Sequence, residues 1–348
     1  MIKVFIVDDS QVAQEFLTHI FSSDPAIEVV GIANNGTEAL AGVKEKCPDV
    51  ITMDIHMPLL DGFETTRAIM EDTPTPIVIV SASTTATDTA STFRALEVGA
   101  LAVVLRPPGI GHPEHSAAVE EMLKTVKMMS EIKVVRRKTR SKELHPLKIK
   151  PVADKKIEIV AIGASTGGPP ALNKIFSQLP PDLPAPILIV QHISPGFVNG
   201  FVDWLASASK FPLHIAEHGQ QPLHGHAYVA PDRFQMGVSR DQHIALSNQT
   251  TENGLKPSVA YLFQSVGQVF GPHTLGVLLT GMGKDGAKEL RDLKDLGALT
   301  IAQDESSSIV HGMPGEAINI GAATHVLSPD AIADMIARLT RKTSGGSG

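Results

Sequence analysis

Ten short apolar runs rich in valine and isoleucine recur along the chain, most of them separated by stretches long enough for a helix. Five precede residue 106: Lys3–Val7, Ile27–Ala33, Val50–Met53, Ile77–Ser81 and Ala102–Leu105. Five follow residue 157: Glu158–Ile162, Ile187–Gln191, His226–Val229, Leu275–Thr280 and Leu299–Ala302. Short runs without polar alternation suit parallel strands covered on both faces. Parallel neighbours need crossover connections, which are right-handed. The pattern predicts an α/β chain with two doubly wound parallel sheets, its functional residues at the carboxyl ends of strands.

A length of 348 residues accommodates two domains. The division falls in a basic stretch, where ten Lys or Arg between Lys124 and Lys150 face only Glu131 and Glu143. Arg136 to Pro151 is nearly free of large apolar residues, so we read a helix end running into a solvated linker, with a patch for an anionic partner as the alternative. The expected division is 1–125, a helix end and linker over 126–154, a second domain over 155–342, and a flexible Gly/Ser tail over 343–348. A net charge of −7 excludes a polycation, and 4 % aromatic residues leave little for stacking single-stranded nucleic acid. Cys47 is the only cysteine, which excludes an intramolecular disulfide framework and a Cys-cluster zinc site. Asp8-Asp9 interrupts the position of a signal peptide's apolar run, and no apolar stretch approaches the roughly 20 residues that span a bilayer. A soluble, cytoplasmic chain is expected.

In the first domain, Asp8-Asp9 follows the first apolar run and Asp54 the third. A parallel sheet gathers all three carboxylates at one edge, where like charges raise one another's pKa unless a cation joins them. Oxygen ligands around a hard cation point to Mg²⁺, and an aspartate beside it can act as nucleophile on a phosphoryl donor. The competing reading is that these acids cap turns and helices. Val7-Asp-Asp-Ser, Met53-Asp-Ile-His-Met-Pro-Leu-Leu-Asp-Gly, Val80-Ser-Ala-Ser and Val98-Gly-Ala together resemble the receiver domain of bacterial response regulators, a flavodoxin-like fold. The resemblance implies that Asp54 is the phosphoacceptor, that Asp8, Asp9 and the His56 carbonyl join it on Mg²⁺, and that Ser81 meets the phosphoryl group. Two positions depart from the pattern. Arg106-Pro107 stands where receivers carry Lys-Pro, the lysine pairing with the phosphoryl group, and Val103 stands where an aromatic switch is common. Arginine keeps the charge but is a planar fork on a longer stem. Weak or unusual dependence on phosphorylation is therefore expected.

In the second domain, an apolar run enters Gly163-Ala-Ser-Thr-Gly-Gly-Pro-Pro, which puts Ser165 at a strand-to-helix junction. Such a junction can bind an anion or support a nucleophile, and it lacks the endings of a P-loop. A serine needs a base and the base an orienting acid. His192 follows the next run, and Asp285 lies in the glycine-rich loop after the run ending at Thr280, where capping a helix over 287–296 is its alternative role. Gly163-Ala-Ser-Thr-Gly-Gly, Val190-Gln-His-Ile, Tyr228-Val-Ala-Pro, Lys256-Pro-Ser-Val, Leu279-Thr-Gly-Met-Gly-Lys-Asp-Gly-Ala and Gly312-Met-Pro resemble the chemotaxis protein-glutamate methylesterase (CheB) family, in that family's order behind a receiver. The resemblance implies a Rossmann-like catalytic domain, a Ser165–His192–Asp285 triad and an oxyanion hole with the Met282 amide. It also implies hydrolysis of glutamate γ-methyl esters, and deamidation of glutamines, on the cytoplasmic helices of a chemoreceptor. The implied phosphodonor is the chemotaxis histidine kinase, with the unphosphorylated receiver blocking access to the esterase. No cofactor is expected for the esterase step.

Asn199 and Gly315 stand where the family commonly has arginine, and Ala260 where an acid is usual. These departures motivate two other readings: a serine esterase for another ester, or a non-catalytic receiver-containing module that binds a partner. His214, His218, His224 and His226 have metal-like spacings but no carboxylate or cysteine to complete a set, so they read as loop and strand-edge residues. Met128-Met129 and Trp204 read as helix packing residues, and nothing near Cys47 activates a thiolate.

Overall fold

The computed structural model describes residues 1–83, 86–132, 134, 156–251 and 254–340. The basic residues between 135 and 155 and the tail beyond 340 lie outside the described residues. The chain divides into two compact units, Met1–Thr139 and Arg140–Gly348.

The first unit runs β1 (Ile2–Val7), α1 (Gln11–Ser22), β2 (Ile27–Ala33), α2 (Gly36–Lys46), β3 (Val50–Met53), α3 (Gly62–Asp72), β4 (Ile77–Ser81), α4 (Ala86–Glu97), β5 (Ala102–Leu105) and α5 (His115–Ser130). Its strands are all parallel, in the order β2-β1-β3-β4-β5. Every residue of β3 and β4 is buried, which is why their runs are continuous rather than alternating. The order reverses between β1 and β3, and Asp8 and Asp54 follow those two strands. In α5, Met129 packs inward and Met128 is half-buried. Cys47 is exposed at the end of α2.

The second unit runs β6 (Ile159–Ala164), α6 (Gly168–Phe176), β7 (Ile187–Gln191), α7 (Val198–Ser209), β8 (Leu213–Ile215), β9 (Ala227–Val229), β10 (Gln235–Val238), β11 (Ile244–Ser247), α8 (Val259–Phe270), β12 (Thr274–Leu278), α9 (Ala287–Asp295), β13 (Leu299–Gln303), α10 (Met313–Asn319), β14 (His325–Leu327) and α11 (Pro329–Thr340). Seven parallel strands lie in the order β14-β13-β12-β6-β7-β9-β8, and β10 and β11 form a separate antiparallel pair. The doubly wound expectation holds, with β8 added outside β9 and β14 outside β13. The order reverses between β6 and β12, so the chain after β6 and the chain after β12 flank the crevice where ligands of such sheets bind.

Helix α8 shows how packing serves this crevice. Val259, Leu262, Phe263, Val266 and Phe270 recur at helical spacing and are buried in one core with Ile159, Leu188 and Leu290. Burial of each such side chain is worth about 1.5–3 kcal/mol, which anchors the helix and thereby fixes where its amino end points. Trp204 is buried within α7. No helix among the described residues is long and apolar enough to cross a membrane.

Candidate active site

Ser165 and His192 each stand one residue past the last paired position of neighbouring strands, Ala164 opposite Gln191. The His192 amide donates to the Ala164 carbonyl at 2.9 Å, and the Ser165 amide to the Thr280 carbonyl at 3.0 Å. The loop after β12 therefore lies against Ser165. A side chain at Gly281 would come within 2.6 Å of Ser165 Cβ, so this close approach requires glycine. The Thr280 hydroxyl bridges the Thr166 and Val310 carbonyls, and its amide donates to buried Gln303.

Asp285 lies in this loop with its side chain 3 % exposed, and its Oδ2 is 3.0 Å from His192 Nε2. The contact has hydrogen-bond distance without hydrogen-bond alignment, since by angle Nε2 finds no partner. Contacts of this kind tighten in the substrate complex. Asp285 also accepts from the Ser258 hydroxyl at 2.9 Å, the Val259 amide at 2.7 Å and the Ala260 amide at 3.2 Å. The carboxylate thus caps α8, while α9 begins after Gly286. It also meets the positive end of the α8 dipole. Burial pushes the Asp285 carboxyl up, but the His192 imidazole beside it, then the Val259 amide and the Ser258 hydroxyl, outweigh it and hold the pKa below the ordinary value.

Ser165 is half-buried, and its Oγ makes no hydrogen bond to any described residue. Prolines at 169 and 170 offer no amide, and the Gly168 amide is taken by the Ser165 carbonyl at 2.7 Å. The amino end of α6 is thus a poorer anion cradle than the strand-to-helix junction suggested. Among the described residues, the amides of Thr166, Gly167, Met282 and Gly283 have no acceptor; the first two follow Ser165 in the chain, and the last two follow Gly281, which lies against it. The Met282 amide, which the resemblance implied for an oxyanion hole, and the Thr166 amide, which no motif singled out, are both in this group.

Of the departures, Asn199 is exposed near the start of α7. Gly315 lies under the His311 ring, where a Cβ would approach Cδ2 to 2.9 Å, so an arginine there would displace this histidine. The Ala260 amide is one of the Asp285 donors. Of the discounted histidines, His214 on edge strand β8 and His226 meet side by side, Nε2 to Nδ1 at 2.8 Å. His218 accepts from the Leu246 amide.

In the first unit, the carboxylates of Asp8, Asp9 and Asp54 gather with ligand atoms within 4.8 Å of one another. They line a cleft of about 200 Å³ together with His56, Ser81 and Arg106. Burial raises the Asp8 pKa most; the Ser10 amide opposes this, Asp54 and Asp9 add to it, and Arg106 lowers it. Asp54 is also raised, by burial first and by Asp9, against the Ile55 amide, His56 and Arg106. Arg106 Nη1 is 4.0 Å from Asp8 Oδ2. The Ser81 hydroxyl donates to the Ser83 carbonyl at 2.7 Å and would have to turn to meet a phosphoryl group. Val103 is buried. Hard oxygen donors with raised pKa values fit a divalent cation such as Mg²⁺.

Known proteins resemble this chain. The CheB methylesterase family model matches residues 160–336, and the response regulator receiver domain model matches residues 4–112. A protein of Nitrosospira multiformis named protein-glutamate methylesterase/protein-glutamine glutaminase is 52 % identical over 344 residues, covering 97 % of each chain. The chain belongs to the CheB methylesterase family. A second member, from Syntrophus aciditrophicus and carrying the same name with the number 1, is 52 % identical over 348 residues, 97 % of this chain and 98 % of that one. The crystal structure of the Thermotoga maritima CheB methylesterase catalytic domain matches with a TM-score of 0.51 at 35 % identity, covering 53 % of this chain and 99 % of that one.

Proposed function

We propose that this chain is a phosphorylation-regulated serine hydrolase that demethylates glutamate γ-methyl esters and deamidates glutamines on the cytoplasmic helices of chemoreceptors. The observation that carries the reading is the His192–Asp285 contact beside Ser165, in a chain 52 % identical to a protein bearing both activities in its name. Ser165 Oγ attacks the ester carbonyl while His192 takes its proton through Nδ1, the ring nitrogen that does not face Asp285. The tetrahedral oxyanion is held by the Met282 amide, with the Thr166 amide as a second donor. Collapse returns the proton to the leaving methoxide; methanol departs and a glutamyl ester remains on Ser165. Water, activated by His192, then releases glutamate. Asp285 holds the imidazole orientation and stabilises the imidazolium. A primary amide follows the same course with ammonia as leaving group.

The chemotaxis histidine kinase is the proposed phosphodonor, acting in the cytoplasm. Asp54 attacks the phosphorus of the kinase's phosphohistidine, whose P–N bond breaks as the histidine leaves, to form an acyl phosphate, and Arg106 and Ser81 meet the transferred group. Mg²⁺, when bound by Asp8, Asp9, Asp54 and the His56 carbonyl, supplies the positive charge that phosphoryl transfer needs. Phosphorylation shifts the population toward a form in which the receiver no longer blocks the esterase, weakly so because Arg106 and Val103 replace the usual residues.

Methanol release from methylated receptor membranes tests the reading. The full chain and Ser165→Ala are compared, each with and without a small phosphodonor and Mg²⁺. The expected loss in Ser165→Ala is roughly 10⁴-fold or more. Release that survives the substitution rejects the serine mechanism. Full activation of wild type by phosphodonor rejects weak gating.

A further inference from the structure

We propose that Gln191 is a positioning residue of the hydrolytic site, its side-chain amide tying the backbone carbonyls of Ser165 and His192 together. The inference rests on the proposed roles of those two residues. Gln191 is the last residue of β7 and is 4 % exposed. Its Nε2 donates to the Ser165 carbonyl at 2.9 Å and to the His192 carbonyl at 2.8 Å. An amide nitrogen has two N–H groups, so each is spent on one of the two proposed catalytic residues. The strand ladder ends at Ala164 and Gln191. Beyond it the His192 amide still donates to the Ala164 carbonyl and the Ser165 amide to the Thr280 carbonyl, and the Gln191 amide adds a link that joins the Ser165 and His192 carbonyls directly.

The other end of the same group indicates that this link serves more than packing. Gln191 Oε1 is buried and has no hydrogen-bond partner. A residue needed only to fill this space could be apolar, with no orphaned oxygen to desolvate. The orientation is also one-way, because a flipped amide would set its oxygen against two carbonyl oxygens. Gly168 makes room for it: a Cβ there would lie 2.0 Å from Oε1. The motif glycine at 168 and the glutamine before His192 thus form one device. Small errors in the distance between nucleophile and base are costly, about 100-fold for 1 Å.

The test uses the full chain, methylated receptor membranes and methanol release. Gln191→Leu removes both donors and the orphaned oxygen. Gln191→Glu keeps the shape and, as carboxylate, cannot donate. Gly168→Ala leaves residue 191 unchanged in identity but drives a Cβ against its amide, and the same Cβ also comes within 2.9 Å of Ala164 Cβ. Each is expected to lower kcat by roughly 10- to 100-fold with KM within about twofold. Unchanged kcat in Gln191→Leu or Gln191→Glu, or a loss confined to KM, would overturn the proposal. If Ser165→Ala retains release, it is the serine mechanism that fails; if only the Gln191 variants retain it, the positioning role alone fails.

Discussion

Asp54 and Asp285 both lie past the carboxyl end of a parallel strand beside the point where strand order reverses, yet their surroundings differ in sign. Asp285 meets a histidine, a hydroxyl and two amides, all supplied by the chain, and its pKa is lowered. Asp54 meets Asp8 and Asp9, and its pKa is raised. Burial pushes both carboxyls up. The difference lies in the count of donors. One carboxylate is completed by the fold and can brace a base through every turnover. The other is left short of positive charge, which suits a site that takes a cation and a phosphoryl group from outside and gives them up again.

The sharpest way to break this comparison is Asp285→Asn. With the imidazole no longer held by a carboxylate, kcat for methanol release should fall by roughly 10³–10⁴. The same substitution tests stability. A carboxyl whose folded pKa is lowered contributes stability that is fully present above its unfolded pKa of about 3.9, and loses it as pH falls through the folded value. Urea unfolding of the second unit should therefore show wild type above Asp285→Asn by about 1–3 kcal/mol at pH 7, with the gap closing below about pH 4. A gap that does not vary with pH would mean the donors around Asp285 do not favour its charged form.

The receiver should respond in the opposite sense. Because its carboxylates repel, Mg²⁺ at 100 times its dissociation constant should stabilise the first unit by about 2.7 kcal/mol, and Asp54→Asn should raise that unit's Tm in metal-free buffer. Thermal unfolding with and without Mg²⁺ checks both; a lower Tm for Asp54→Asn without metal would show that the carboxylates are not in conflict. The smallest effect concerns Arg106→Lys. The side chain is 33 % exposed and 4.0 Å from Asp8, so Tm should change little, by about 0.5 kcal/mol or less. The ratio of methanol release with phosphodonor to release without it should nevertheless rise several-fold. No change in that ratio would remove Arg106 as a cause of weak gating.

The two sites were unequally legible. Asp8, Asp9 and Asp54 sit immediately past apolar runs, so any parallel sheet brings them to one edge. Ser165 and His192 could be read in the same way. Asp285 was visible as an acid in a glycine-rich loop, but its capping of α8 was not, because Ser258 and Val259 lie more than 25 residues away in sequence. The free Thr166 amide carries no signal in residue identity, since every residue but proline has one. Strands β8, β10, β11 and β14 went unread. They are three or four residues long, and β8, β11 and β14 are only partly buried, so periodicity had little to register.

By itself the sequence determined the class of the fold, the two sheets and the acids, serine and histidine at their strand ends, because hydrophobic period and strand-end position are local properties. The order of the strands was decided only in three dimensions. Buried parallel strands carry the same apolar pattern wherever they lie in a sheet, so nothing local says that β12 neighbours β6. That adjacency brings Gly281 against Ser165 and Asp285 to His192, while pairing of β6 with β7 lets one Gln191 amide reach two carbonyls. Each of these contacts depends on distances between segments that hydrophobic patterning leaves free and packing makes definite.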